Sequence, residues 1–162
     1  GQLYPVAGLA WMDREWSSGS LGPDQIGWDW LALQLDDGRE VMLYRLRRKD
    51  GGADPASQGT LVARDGTSRP LAWKEVRLTP SGAWKSPRSG ARYPARWRLE
   101  VPGEGLDLDL RPYLADQELD TSFRYWEGAV GISGTAGGAP LGGSGYVELT
   151  GYGEPAVESA PR

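Results

Sequence analysis

Along most of this chain apolar and polar residues alternate in short runs, and glycines, prolines or Asp-Gly pairs break the runs. Period-two alternation sends successive side chains to opposite faces of a strand. No segment sustains a helical apolar period, and the weak candidate for a short helix is 112–119. The clearest element is a hairpin. Gly27-Trp-Asp-Trp-Leu-Ala-Leu-Gln-Leu35 and Arg39-Glu-Val-Met-Leu-Tyr-Arg-Leu-Arg47 flank Asp36-Asp37-Gly38, and Asp-Gly between two strand patterns is a hairpin turn signal. Asp29, Leu31, Leu33 and Leu35 share one face of the first strand, and Trp28, Trp30, Ala32 and Gln34 share the other. A sheet with one wet face would alternate more cleanly, so either a second layer packs on the tryptophan face or that face lines a cavity.

Further strands are expected over 8–16, 59–64, 71–78, 95–101, 106–110, 123–134 and 145–152, with 80–94 as a long irregular lid or rim. Over 95–101, Ala95, Trp97, Leu99 and Val101 point in while Arg96, Arg98 and Glu100 point out. Phe123, Tyr125, Glu127 and Ala129 lie opposite Trp126, Val130 and Ile132, and Tyr146, Glu148, Thr150 and Tyr152 lie opposite Val147 and Leu149. Up-and-down pairing suits such a chain, and closing the sheet removes its edges. The reading is all-β: an antiparallel, calycin or lipocalin-like β-barrel of about eight to ten strands, with a two-sheet sandwich as the alternative. Residues 1–152 make a single domain and 153–162 a flexible polar tail.

A length of 162 residues suits one domain with one core. The net charge of −4 and the lack of a Lys/Arg run speak against nucleic acid as a partner. No apolar run reaches the ~20 residues of a membrane-spanning helix. The chain opens almost at once on a strand-like motif, as expected of a domain cut from a longer protein or of a mature form. Histidine and cysteine are absent, which removes Ser-His-Asp and Cys-His nucleophile systems, the usual zinc sites and disulfides. No metal and no cofactor is expected, and acid–base work would fall to Asp, Glu, Lys or Tyr. Eight Trp and seven Tyr stand against one Phe; such rings suit sites that are apolar along one side and hydrogen-bonded at the tip.

The opening motif concentrates this chemistry. In Trp11-Met-Asp-Arg-Glu-Trp16 an extended backbone puts Trp11, Asp13 and Glu15 on one face and Met12, Arg14 and Trp16 on the other. Two carboxylates beside an indole form either an edge-strand salt-bridge cluster with Arg14 or a polar patch inside a pocket. Glu127 and Glu148, each sharing a face with tyrosines, are either a buried structural network, with Arg45 as its inward partner, or the polar end of a ligand site. The candidate binding residues are Trp11, Trp16, Trp28, Trp30, Gln34, Tyr44, Arg45, Tyr125, Glu127, Tyr146 and Glu148.

Several strings, in order, resemble one family: Gly8-Leu-Ala-Trp-Met-Asp-Arg-Glu-Trp16, Gly27-Trp-Asp-Trp30, Met42-Leu-Tyr-Arg-Leu-Arg47, Trp84-Lys-Ser-Pro87, Tyr93-Pro94 with Trp97, Asp116-Gln-Glu118, Tyr125-Trp-Glu-Gly128 and Gly145-Tyr-Val-Glu-Leu-Thr-Gly-Tyr152. They resemble the carotenoid 1,2-hydratase (hydroxyneurosporene synthase, CrtC) and AttH-like family, often labelled predicted secreted hydrolases. The resemblance implies two lipocalin-like domains in the full protein, with this chain as the C-terminal one and the N-terminal domain as its partner. It implies an apolar, polyene- or terpenoid-like ligand, held in the barrel or at the interface with the N-terminal domain, and a periplasmic, secreted or membrane-associated location. Many members carry His at the position of Arg14, so a histidine acid–base role does not transfer here. Nothing in these residues pairs a nucleophile with a base as a hydrolase requires. Three functions follow: a ligand-binding domain, half of a hydratase or isomerising lyase with Asp13 or Glu15 as proton donor, or a structural support for the partner domain.

Overall fold

The computed structural model of the chain describes residues 1–13, 21–121 and 123–153. Its strands are β1 (Gln25–Leu35), β2 (Glu40–Arg48), β3 (Gln58–Val62), β4 (Ser68–Ala72), β5 (Arg77–Ser81), β6 (Trp84–Lys85), β7 (Arg92–Tyr93), β8 (Arg96–Val101), β9 (Leu106–Pro112), β10 (Glu118–Asp120), β11 (Arg124–Ala136) and β12 (Ala139–Thr150). One antiparallel sheet runs β4-β3-β2-β1-β12-β11-β9-β8-β5, with β10 on β11, while β6 and β7 form a separate ribbon. The order is up-and-down, and the last strand returns to pair with the first.

The two edge strands of this sheet, β4 and β5, are neighbours in sequence. Only residues 73–76 separate them, and a link of that length reaches about 17 Å at most. A flat sheet of that order would set its edges roughly 38 Å apart, at about 4.8 Å per strand. The sheet is therefore strongly curled into a half-barrel of the lipocalin-like kind. Arg69 on β4 reaches across to Glu104, in the turn between β8 and β9, and also holds Glu75 at 3.1 Å. Pro70 and Pro80 sit on the two edge strands, where a missing N–H blunts pairing with another chain.

Inside the curl, period two produces the core. Leu31, Leu33, Val41, Leu43, Trp97, Leu99, Leu108, Leu110, Trp126, Val130, Val147 and Leu149 are all buried. The inward sets expected for β1 and β8 are the observed ones. The hairpin turn closes through Gly38 at φ +84°.

Five expectations are corrected. The described residues 8–13 of the opening motif form no strand; Leu9 and Met12 are exposed there, with no sheet edge paired to them. The run 71–78 is broken by a 3-10 turn, Trp73–Glu75, because the chain crosses the seam at that point. The run 80–94 holds the β6–β7 ribbon, and 112–119 is the β9–β10 connection rather than a helix. Tyr152 leaves the outward face because β12 ends at Thr150 and Gly151 turns the chain at φ +68°. A Cβ at Gly151 would collide with the Ile26 carbonyl. The expected tail beyond 153 lies outside the described residues. Among those described, no helix is long and apolar enough to cross a membrane.

Candidate functional site: an aromatic and acidic outer face

Strands β2, β1, β12 and β11 lie side by side, so their outward residues fall into rows across the sheet. One row reads Tyr44, Trp30, Glu148, Glu127. The Tyr44 and Trp30 rings stack with centroids 5.5 Å apart and planes 13° apart. Glu148 and Glu127 stand directly opposite each other, an arrangement that like charges disfavour. Their neighbours act as donors. The Trp28 indole N–H donates to Glu148 Oε1 at 2.5 Å, and Trp28 meets Tyr125 edge-on at 6.5 Å. The adjoining row is Met42, Ala32, Tyr146, Ala129. The Tyr146 phenol, hydrogen-bonded to Glu127, is pushed up to about 12 by burial and by the charges of Glu127 and Glu148. Burial first, then Glu148 and Glu127, also raises Tyr125. The Trp30 indole N–H is buried and has no acceptor among the described residues. Most of the face is half-buried, with Tyr146 its most open ring at 39% exposure.

A second polar cluster closes one end of the half-barrel. Asp29, fully buried, sits 3.0 Å from Arg47 and 3.9 Å from Arg45, and it accepts from the Tyr152 hydroxyl at 2.8 Å. Burial lifts the Asp29 carboxyl above the usual range, against the pull of Arg47, Tyr152 and Arg45. Arg47 lies over the Tyr152 ring at 3.7 Å and donates to the Thr150 carbonyl. It passes Gly27, whose φ of +146° and lack of Cβ leave room for the guanidinium. Tyr152 packs on Tyr93, and Tyr93 on Trp84, so the β6–β7 ribbon is held against this end. Glu118 fastens it there by accepting from Ser86 and Ser89, each at 2.5 Å, and from the Tyr93 hydroxyl at 2.8 Å. Burial raises the Glu118 carboxyl, but these hydroxyls and Arg124 outweigh burial and hold it below the usual range.

The expected site residues separate accordingly. Trp28, Trp30, Gln34, Tyr44, Tyr125, Glu127, Tyr146 and Glu148 all lie on the outer face of these four strands. Arg45 does not join the two glutamates: it is in register with Asp29 on the inner face. Trp11 and Asp13 are apart from this face among the contacts seen. The Trp11 indole donates to Asp13 Oδ1 at 2.8 Å, and Asp13 is exposed. Glu15 and Trp16 lie outside the described residues. The sequence reading passed over Asp29 and Glu118 as site members. The signal for Asp29 was an acid in step with Leu31, Leu33 and Leu35. For Glu118 it was the pair of strings 84–87 and 116–118, whose partnership the intervening chain conceals. Among the described residues no group of His, Cys, Asp and Glu is placed to hold a metal ion.

The AttH-like family model matches residues 1–152. The chain belongs to the AttH-like family. A crystal structure of an AttH protein from Nitrosomonas europaea is 36% identical, with a TM-score of 0.74 over 86% of this chain and 42% of that one. Kievitone hydratase from Nectria haematococca is 23% identical, with a TM-score of 0.65 over 79% of this chain and 40% of that one, a likeness of fold. This AttH-like chain thus spans less than half the length of either solved relative. No curated protein matches it.

Proposed function

We propose that this domain binds an apolar small molecule, polyene- or terpenoid-like, against the outer face of β2, β1, β12 and β11, and that a second lipocalin-like domain of the same protein covers that face. The observation that carries the reading is the gathering of Trp28, Trp30, Tyr44, Tyr125 and Tyr146 on one half-buried face, while the inside of the curl is filled by leucine, valine and tryptophan. Contiguous aromatic surface of this kind marks ligand or partner contact. The greater length of the solved relatives supports a further domain. Tryptophan fluorescence titrated with carotenoid, terpenoid and fatty-acyl ligands, with and without the partner domain, tests the reading. Saturable quenching that disappears in a Trp30→Leu, Tyr44→Leu variant is expected; quenching untouched by that variant overturns it.

A second reading, hydration of an alkene, is favoured by the carboxyl groups beside the rings. A protonated glutamate would give its proton to one alkene carbon, an indole face would stabilise the cation on the other, and water would add there and return a proton. Glu127 and Glu148 stand closer to this cluster of rings than the exposed Asp13 expected from sequence. Turnover retained in Glu127→Gln, Glu148→Gln and Asp13→Asn forms of the full-length protein would exclude all three. Resemblance to secreted and envelope proteins supports a periplasmic, secreted or membrane-associated location, which cell fractionation tests.

A further inference from the structure

Resting on the further domain of that reading, we infer that residues 3–12 are a docking arm, an extended segment whose apolar edge lies in an aromatic-lined groove of that domain. Leu3, Val6, Leu9 and Met12 are 95, 90, 70 and 75% exposed. A single exposed leucine is ordinary, but these four recur at every third position and make one stripe. A period of three matches neither a strand nor an α-helix. It is the period of polyproline II, in which three residues complete a turn and the backbone makes no internal hydrogen bonds. The segment contains Pro5 and forms neither strand nor helix. Wound this way, the four apolar residues share one edge, while Ala7, Ala10 and Asp13 share another. The apolar edge spans roughly 28 Å, at ~3.1 Å a residue. A segment made to stay in water carries charge, yet no Asp, Glu, Lys or Arg occurs before Asp13. The match to the family model includes these residues, so the arm belongs to the domain's own pattern. The described body of this chain leaves the stripe bare, and the chain spans only 42% of its AttH relative, so the covering surface lies in the rest of the protein. Addition to a sheet edge calls for period two and a row of N–H donors, which Pro5 interrupts. A groove lined by aromatic rings calls for neither and takes polyproline II segments by one edge.

This chain contains no cysteine, so single introduced thiols report on the arm. Val6→Cys lies on the apolar edge, Ala7→Cys on the edge that faces water, and Tyr146→Cys on the outer face of the sheet. Each is made in the full-length protein and in this chain alone, and maleimide labelling is timed by mass spectrometry of the peptide concerned. Val6→Cys should label about tenfold more slowly in the full-length protein than in this chain alone, and Ala7→Cys at one rate in both. Adding Leu9→Asp should return Val6→Cys to the fast rate. Equal rates for Val6→Cys in the two proteins overturn the inference. Equal slowing of Val6→Cys and Ala7→Cys overturns it too, because the arm would then be enclosed or strand-paired. Slowing in this chain alone as its concentration rises overturns it in favour of a second copy. Tyr146→Cys separates the inference from the reading beneath it. If Tyr146→Cys is slowed in the full-length protein and Val6→Cys is not, the further domain covers the face without holding the arm. If neither is slowed, both fail.

Discussion

The closed end of the half-barrel and its outer face both set carboxylates among aromatic rings, yet they treat the acid in opposite ways. At the closed end, Asp29 and Glu118 are removed from water and given fixed partners: two arginines and a tyrosine for Asp29, three hydroxyls and nearby arginines for Glu118. On the outer face, Glu127 and Glu148 stay half-open, oppose each other, and have phenol and indole donors beside them. A buried acid with fixed counter-groups holds chain segments together. A half-open acid among rings stays within reach of solvent. A third region sharpens the contrast. The outer face of β8 and β9 is an arginine and aspartate ladder, with Arg98 on Asp107 at 2.7 Å and Arg111 on Asp109 at 2.6 Å. It is the solvated surface an antiparallel sheet ordinarily carries, and each such pair contributes little.

The comparison breaks most visibly at Asp29. Asp29→Ala leaves Arg47 and Arg45 facing a buried gap, and urea denaturation should show a loss of about 3–5 kcal/mol. A loss below about 1 kcal/mol would mean that water reaches this end. Glu118→Gln comes next, at about 1.5–3 kcal/mol, since it weakens three charge-assisted hydrogen bonds. Its acid profile gives a further check. The folded carboxyl lies below the usual range, so the stability it contributes is complete above about pH 4.3, the ordinary glutamate value, and is lost as pH falls through the lower folded value. The Gln variant should lack that part of the acid slope. Glu127→Gln, on the outer face, is the smallest effect: removing one of two opposed like charges should change stability by no more than a few tenths of a kcal/mol, in the stabilising direction. The same variant should bring the Tyr146 phenol down from about 12, read as tyrosinate absorbance during alkaline titration.

The fold was legible because it rests on local pattern. Alternation through Leu31, Leu33 and Leu35, and through Trp97, Leu99 and Val101, marked the inward faces correctly, and Asp-Gly marked the first hairpin. The outer face was half-legible. Trp28 and Trp30 were visible as large side chains opposite an apolar face, but their alignment with Tyr44, Glu148 and Glu127 depends on register between strands far apart in sequence. Arg45 shows the cost of lacking that register, since inward alternation alone could not choose between Asp29 and the glutamates. Tyr152 was misplaced because one glycine ended the alternation, a conformational switch that a period-two count carries straight through. The opening motif, strand-like by composition, had no way to reveal that its described part lies off the sheet.

The return of β12 to β1 also governs how the molecule comes into being. During synthesis β1 and β2 emerge early, but the second neighbour of β1 is the last strand of the sheet, and the Trp28 N–H finds the Thr150 hydroxyl only when that strand arrives. Until then a tryptophan-bearing strand has one open edge, without proline and with Asp29 as its single charge. Folding must therefore wait on the pairing of the first strand of the sheet with its last, a topology that favours slow, all-or-none closure. Until β12 docks, that edge stays open for another molecule to find.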